Sequence, residues 1–403
     1  MQIRTDPATK QPPETFTQSH PFMKQITILN PPRIVFGDGA FSTFIDEFLK
    51  KCLRRLFIVT IPPLEGLLNE QTKRMKDAGI KVFVNTRVEQ EPDFEMFEEL
   101  LEEARLFGAD AVAGIGGGSV LDAAKLLAAF IDNDQQIRET VGIGLLAGRK
   151  TWMACLPTTS GTGSEVSPNA ILLDEQDHLK KGIVSPWLVP DVAYVDPELT
   201  WSVPAMVTAS TGLDALTHCL EAYTNTFAHP MIDLYALEGI RLINKGLVPA
   251  LHNGRDRHAR GQLALGSLYG GYCLGPVNTA AVHALSYPLG GMFHIAHGLS
   301  NALILPHVME FNLTAAPDRY AEVARTLGAD EGVDAVATAR NGVEKIHELI
   351  NECGIPTRLS ELDIPQEALD EMADGAIKVT RLLKNNVRKV TREDALELYL
   401  KAW

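Results

Sequence analysis

The first half of the chain alternates short apolar runs with amphipathic segments, and this order constrains the fold more than any other feature. Runs such as RRLFIVTI, GIKVFVN, DAVAGIG and MACLPTT are typical of buried strands. The segments between them, such as PDFEMFEELLEEARLFG, carry apolar residues at helical spacing. Because strands that alternate with helices pair in parallel, we predict an α/β fold with a parallel sheet covered by helices on both faces.

The pattern changes near residue 204. Later segments such as GLDALTHCLEAY and NGVEKIHELINECG are helical in period, and no convincing strand follows them. We therefore predict a flexible N-terminal arm at residues 1–22, an α/β domain at 23–203 and an all-helical domain at 204–403, with a cleft between the two domains. The run KQITILN, just after the arm, is also predicted to form a strand.

Composition excludes several classes of protein. Lys and Arg number 37 against 51 Asp and Glu, a formal net charge of −14, which argues against a nucleic-acid partner. The five Cys are scattered without a CxxC pair, which favours a reducing compartment, and we predict a cytoplasmic location. No apolar run reaches the ~18 residues of a membrane span, and the polar, Pro-rich N-terminus does not resemble a secretory signal.

A glycine-rich turn is the first candidate for ligand binding. Gly114-Ile-Gly-Gly-Gly-Ser119 follows an apolar strand and opens a helical segment. Glycine lets the backbone approach a ligand closely, and a helix N-terminus offers free N–H groups to a diphosphate. The motif is not GxGxxG, and a plain strand-to-helix turn is the alternative. Asp122, four positions into the helix, could contact a nicotinamide or ribose group. The later segment PTTSGTGSE also suits cofactor contacts, but a hydroxyl-rich loop alone is weak evidence.

Histidines in the C-terminal half provide a metal candidate. Asp214 and His218 lie one helical turn apart, so their side chains share one face of the helix. His283, His294 and His297 follow 65 to 79 residues after His218. A single helical His is more often structural, but one carboxylate with up to three imidazoles suits Fe(II), Zn(II) or another late first-row ion.

Long motifs identify a resemblance. GIGGGSVLDAAK, PTTSGTGSEVSPNAIL, GLDALTHCLEAY and HALSYPLGGMFHIAHGLSNALILPHVMEFN occur in this order, and the chain from about Lys24 onward resembles the iron-dependent (group III) alcohol dehydrogenases. The resemblance implies the dehydroquinate synthase-like fold, a dinucleotide-binding first domain and a metal-binding second domain. It also implies NAD(P)-linked hydride transfer between a small alcohol or aldehyde and nicotinamide, and a homodimer or larger assembly.

The same resemblance implies site residues. The metal ligands, for Fe(II) or alternatively Zn(II), are Asp214, His218, His283 and His297. The dinucleotide contacts are Gly116, Gly117, Gly118, Ser119 and Asp122 in the first loop, Thr158, Thr159, Thr162 and Ser164 in the second, and Lys180 near the ribose. Asn169 is expected to line the substrate pocket, and His294 to lie near the nicotinamide or substrate rather than on the metal.

Two departures from the family pattern affect the function. Many relatives have a further His, with a proposed role in proton relay, where this chain has Tyr287, so Tyr287 or His294 becomes the candidate relay. The strand LFIVT often ends in an Asp that disfavours NADP, and here that position is Ile61. Because no basic residue replaces the Asp, NAD(H) is favoured and NADP(H) is left open.

Other functions remain open from sequence. A glycerol dehydrogenase-like enzyme or a maleylacetate reductase-like enzyme shares the fold, and the second lacks the metal in known cases. A non-catalytic metal- or nucleotide-binding protein is the remote alternative. Bound metal and alcohol oxidation would distinguish these alternatives.

Overall fold

The computed structural model describes residues 24–89, 91–176 and 179–403. The arm predicted at residues 1–22 lies outside the described residues. The strands are β1 (Ile34–Phe36), β2 (Arg55–Val59), β3 (Lys81–Asn85), β4 (Ala111–Gly116), β5 (Gly142–Ile143), β6 (Trp152–Pro157), β7 (Asn169–Asp174), β8 (Leu179–Val184) and β9 (Val192–Val195). The α-helices are α1 (Ala40–Phe48), α2 (Pro62–Asp77), α3 (Phe94–Phe107), α4 (Gly118–Phe130), α5 (Ala205–Tyr223), α6 (Pro230–His252), α7 (Arg257–Leu274), α8 (Ala281–Phe293), α9 (His297–Asn312), α10 (Pro317–Thr326), α11 (Ala335–Glu352), α12 (Leu369–Ala376), α13 (Thr380–Leu383) and α14 (Arg392–Ala402).

The predicted parallel sheet is confirmed. Six strands pair in the order β1-β9-β6-β4-β2-β3, and every pairing is parallel. Alternate residues of β2 enter different cores: Phe57 packs with α3 and α4 on one face, whereas Leu56 and Ile58 pack with α1 and α2 on the other. Both faces of the strand are therefore buried, which explains its continuous apolar run.

The carboxyl ends of β4 and β6 position the two predicted loops. Gly116 pairs with Pro157 at the ends of these strands, and the amide of Thr158 donates to the carbonyl of Gly116 at 2.9 Å. The chain after β4 enters α4 at once, and the chain after β6 forms the second loop. Both loops therefore lie side by side at one edge of the sheet, where parallel α/β folds bind ligands.

A second sheet was missed by the sequence analysis. Its strands pair in the order β5-β8-β7, and β7 and β8 run antiparallel, with Asn169 opposite Val184. The predicted strand at residues 24–30 is wrong, because this segment carries no regular secondary structure. The carbonyl of Lys24 lies 3.0 Å from Nε2 of His229 at the start of α6.

The rest of the chain is helical, as predicted. Helix α5 is buried along most of its length and packs against α6, α7 and α9 in one continuous core. The last strand ends at Val195 and α5 begins at Ala205, so the predicted boundary after residue 203 lies between them. None of the described helices is both long and apolar enough to cross a membrane.

Candidate active site

A cleft of about 460 Å³ is lined by residues of both the sheet-containing part and the helical part. One wall is the face of the second sheet, whose alternate residues point into the cleft. They are Asn169, Ile171 and Leu173 on β7, and Lys180, Gly182 and Val184 on β8. The other wall comes from α5, α8 and α9, which carry the predicted metal ligands.

Three helices bring the predicted ligands together. Helix α5 supplies Asp214 and His218, α8 supplies His283, and α9 begins at His297. Their side chains surround one carboxylate oxygen, Oδ1 of Asp214. The Nε2 atoms lie 3.8 Å from this oxygen in His218, 3.6 Å in His283 and 3.7 Å in His297.

These separations fit a metal ion. They are longer than hydrogen bonds, yet close to the ~3.4 Å between ligand atoms that stand about 2.1 Å from a tetrahedral ion. The ligand atoms of Asp214, His283 and His297 all lie within 4.8 Å of one another. His218 adjoins this group and stacks on His283 with ring centroids 4.8 Å apart. Imidazole nitrogens with one carboxylate oxygen form a donor set suited to iron or zinc.

Burial and mutual charge determine the protonation of this group. Burial opposes ionisation of Asp214, but the surrounding imidazoles outweigh it and hold its pKa well below the usual range. Burial lowers the pKa of His218 and of His297. Burial also disfavours the charged form of His283, but the carboxylates of Glu221 and Asp214 prevail and raise its pKa to about 9.

Sequence reasoning missed two side chains that contact these ligands. Glu221, one turn after His218, holds Nδ1 of His283 at 2.6 Å and also accepts from the amide of Val282. Such a carboxylate fixes the orientation of a metal-binding ring. Asn301, fully buried on α9, donates to Oδ1 of Asp214 at 2.6 Å. The same Nδ2 atom lies 3.1 Å from Nε2 of His283 and 3.3 Å from Nε2 of His297, so it contacts the three atoms that would face a metal ion. Asn301 lies four residues after His297, the same spacing that indicated a shared helix face for Asp214 and His218.

The glycine-rich turn places the start of α4 at the cleft. Gly118 and Ser119 line the cleft, whereas Gly116 and Gly117 lie behind it. A Cβ on Gly118 would lie 2.6 Å from Cγ2 of Thr162, so glycine allows the two loops to touch. Thr162 and Ser164 of the second loop also line the cleft; the earlier residues of that loop do not. The predicted contacts Thr158 and Thr159 are therefore not among the residues that line the cleft.

Asp122 connects the two loops to the second sheet. One oxygen accepts from Oγ of Ser164 at 2.5 Å, and the other accepts from the amide of Ile171 at 2.9 Å. The fully buried ammonium of Lys125 lies 3.1 Å from the carboxylate and donates to the carbonyl of Ser164 at 3.0 Å. Lys125, which sequence reasoning missed, thus stabilises the wall of the cleft, and the carboxylate of Asp122 is already occupied by protein groups.

The remaining predicted residues also line the cleft. Oδ1 of Asn169 is buried without a hydrogen-bond partner among the described residues. Tyr287, one turn after His283, places its ring 6.3 Å from that of His297. His294 ends α8 in the left-handed conformation, with φ 55°, and is exposed to the cleft. Lys180 forms an ion pair with Glu91 at 2.7 Å.

Comparison with known families agrees with this geometry. Residues 31–197 match iron-containing alcohol dehydrogenases, and residues 208–403 match the C-terminal part of the Fe-containing alcohol dehydrogenase family. The chain belongs to this family. It is an oxidoreductase of the alcohol and aldehyde class, and the family match confirms the resemblance and the fold class predicted from the sequence. The iron-containing family, a structural neighbour solved with NAD+ and the candidate metal group at Asp214, His283 and His297 agree with the predicted cofactors.

Individual relatives of this alcohol dehydrogenase cover nearly its whole length. It is 37% identical over 383 residues to long-chain-alcohol dehydrogenase 1 of Geobacillus thermodenitrificans (strain NG80-2), spanning 94% of this chain and 96% of the relative. A crystal structure of 1,3-propanediol oxidoreductase matches with a TM-score of 0.90 and 30% identity, over 94% of this chain and 100% of that chain. Sulfoacetaldehyde reductase from Bifidobacterium kashiwanohense, solved with NAD+, matches with a TM-score of 0.83 and 29% identity, over 94% and 99%.

The second loop of this dehydrogenase contains a buried carboxyl group whose ionisation makes the stability of the protein depend on pH. Glu165 is 2% exposed, and burial raises its pKa to about 7, against the effects of a backbone hydrogen bond and of Lys125. The same carboxyl titrates near 4.5 when free. The folded state therefore holds a proton that the unfolded chain releases, so stability falls as the pH rises from 4.5 through 7.

We expect Glu165→Gln to remove this dependence. The wild-type free energy of unfolding should lose up to about 3 kcal/mol from this group between pH 4.5 and 8, since each pKa unit corresponds to about 1.4 kcal/mol. Urea unfolding at both pH values measures the loss. Glu98→Gln, at an exposed position of α3, is the matched control, and its free energy of unfolding should depend on pH as that of the wild type does. If the free energy of unfolding of Glu165→Gln fell by as much as that of the wild type between pH 4.5 and 8, the expectation would be contradicted.

Proposed function

We propose that Asp214, His218, His283 and His297 hold one Fe(II) ion and that NAD(H) binds with its diphosphate at the N-terminus of α4. The observation that carries this proposal is the approach of three imidazole nitrogens to one carboxylate oxygen at distances too long for hydrogen bonds. Zn(II) suits the same donor set and is the alternative metal. The same arrangement disfavours a metal-free, maleylacetate reductase-like reaction.

The bound metal supplies Lewis-acid polarisation of the alcohol or aldehyde oxygen. The protein contributes orientation and exclusion of water. Glu221 fixes the ring of His283, and Asp122 fixes the second loop against β7. Oδ1 of Asn169 has no protein partner among the described residues and is available to a substrate hydroxyl or to the nicotinamide amide.

Proton exchange with solvent requires a group at the cleft. His294 is exposed there, and Tyr287 lies between the ring of His297 and the ammonium of Lys180, which is 5.9 Å from the Tyr287 ring centroid. We therefore assign the relay to Tyr287 or His294. We assign the cofactor contacts to Gly118, Ser119, Thr162 and Ser164, which line the cleft. Gly116, Gly117, Thr158 and Thr159 support those contacts from behind, and Lys180 is assigned to the ribose region.

Cofactor choice, assembly and location complete the proposal. Ile61 caps the start of α2 after β2 and packs into the apolar core beside it, which leaves no charge to repel or bind a 2′-phosphate. NAD(H) is the proposed cofactor, with NADP(H) as an alternative.

β1 is an edge strand preceded by unpaired residues 24–30, which supports pairing with a second copy in a homodimer or larger assembly. The free cysteines support a cytoplasmic location.

Elemental analysis combined with chelation tests the proposal. We expect about one iron per chain, oxidation of small primary alcohols with NAD+, loss of activity with a chelator, and recovery with Fe(II). A matched sample treated with metal-saturated chelator controls for effects of the reagent itself. Full activity without bound metal would contradict the proposal and favour the metal-free reductase branch.

A further inference from the structure

The charged side chains of the cleft are almost all neutralised by neighbours. Asp122 lies 3.1 Å from the ammonium of Lys125, and Glu91 lies 2.7 Å from that of Lys180. Asp214 is surrounded by imidazoles. Each of these charges therefore has a partner within the protein, as buried and half-buried charges require.

Arg381 is the exception. Its guanidinium lines the cleft and is partly buried, yet it makes no hydrogen bond or ion pair with any described residue. Its Nη2 atom lies 3.4 Å from the position that a Cβ on Gly182 would take, so the missing side chain at Gly182 gives the guanidinium room against β8. A half-buried cation held in place without a counter-charge indicates that its partner is a ligand.

The position of Arg381 favours the substrate over the cofactor phosphates. Helix α4, where the diphosphate is proposed to bind, packs on β7; β8 lies beyond β7 and packs on α8, the helix of His283. Arg381 follows on α13, which also packs on α8. Ile61, where a 2′-phosphate would be selected, does not line the cleft. The start of α4 lines the same cleft, but the guanidinium lies against β8 and shares the helix neighbour α8 with the proposed metal ligands.

We propose that Arg381 binds an anionic group of the substrate, and that the substrate class is a short aldehyde, or the corresponding primary alcohol, with a carboxylate or sulfonate at its far end. This inference rests on the proposed function, because it places the reacting oxygen at the metal site and the anion at Arg381. The planar guanidinium binds such anions through two parallel hydrogen bonds. Lys180 is less suited to bind the substrate's anionic group, since its charge is already neutralised by Glu91.

A matched substrate series tests the proposal in the iron-loaded enzyme. The series runs from glyoxylate to 5-oxopentanoate, each compared with its neutral methyl ester in NADH-dependent reduction. We expect the wild type to prefer the best acid over its ester by about 10- to 100-fold in kcat/KM. Arg381→Gln should abolish this preference mainly through KM, and Arg381→Lys should restore part of it. Arg388→Ala, a change at an arginine that packs on Phe311, is the matched control and should retain the preference.

The remaining outcomes separate this proposal from the proposed function. Equal kcat/KM for every acid and its ester in the wild type, or a preference that survives Arg381→Gln, would overturn it. A change confined to the KM for NADPH would also overturn it, because the guanidinium would then bind the 2′-phosphate. If neither acids nor esters react and small primary alcohols are not oxidised with NAD+ either, the proposed function fails instead. Calorimetry still decides the Arg381 inference in that case, by whether 4-hydroxybutanoate binds more tightly than its methyl ester in the wild type but not in Arg381→Gln.

Discussion

His283→Ala should reduce the iron content from about one ion per chain to near zero and lower kcat/KM by about 10³-fold or more. The expected size follows from the several kcal/mol of transition-state stabilisation that a bound metal provides. His283 is central because its ring faces Asp214 on one side and is fixed by Glu221 on the other. Its removal therefore takes away one proposed ligand and leaves the Val282 amide as the one hydrogen-bond partner of the Glu221 carboxylate among the described residues.

His307→Ala is the matched control for this variant. His307 also lies on a core helix, α9, but its ring faces His347 rather than the cleft. We expect both variants to unfold cooperatively, with the iron and the activity lost only in His283→Ala. Metal analysis, far-UV circular dichroism and steady-state kinetics measure the three quantities. An iron-loaded, fully active His283→Ala enzyme would refute the assignment of this residue.

The parallel sheet could be predicted from the sequence, and the metal ligands proposed, for physical reasons. β2 is buried on both faces, so its residues form one uninterrupted apolar run. Asp214 and His218 lie four residues apart on a helix, so the sequence spacing reports their shared face. The assignment of His297 rather than His294 came from the family resemblance, and the structure places the ring of His297 beside Asp214.

The second sheet was not predicted because its apolar runs are short. β7 has only Ala170 to Leu173 between two polar residues, and β8 contains two lysines and Gly182. Asn169, Lys180 and Gly182 face the cleft rather than the apolar core. The error at residues 24–30 has the opposite cause, since the alternating run KQITILN has no partner strand within a single chain.

Single polar side chains were missed for a different reason. Lys125 and Glu221 occupy helical positions that read as ordinary surface residues, and only the tertiary structure buries them. Arg381 belongs to a four-residue helix whose sequence, TRLL, carries no motif of its own. The proposed role of Arg381 depends on Gly182, which leaves room for the guanidinium beside β8. Residue spacing along one helix cannot reveal this contact with a strand that is distant in sequence.

Gly298→Ala should disturb the metal site without changing any ligand. Gly298 follows His297 in the first turn of α9, and a Cβ there would lie 2.1 Å from the carbonyl oxygen of Ser210 and 3.2 Å from Cβ of Asp214. The obstructing oxygen belongs to the backbone of α5, so no side-chain rotation can relieve the clash. The two helices that carry His297 and Asp214 must therefore separate by about an ångström.

We expect this separation to destabilise the protein by about 1–3 kcal/mol and to lower kcat/KM by about 100-fold, because a displacement of this size misplaces a catalytic group. Iron affinity should fall in parallel. Gly261→Ala on α7 is the matched control: a Cβ there has no atom within 4 Å, and the substitution should be neutral or stabilising by up to about 1 kcal/mol. Urea unfolding, chelator competition for iron and steady-state kinetics compare the two variants. Wild-type iron affinity in Gly298→Ala would show that the contact between α5 and α9 does not hold His297 in place, and the ligand geometry would then have to depend on Glu221 and Asn301 instead.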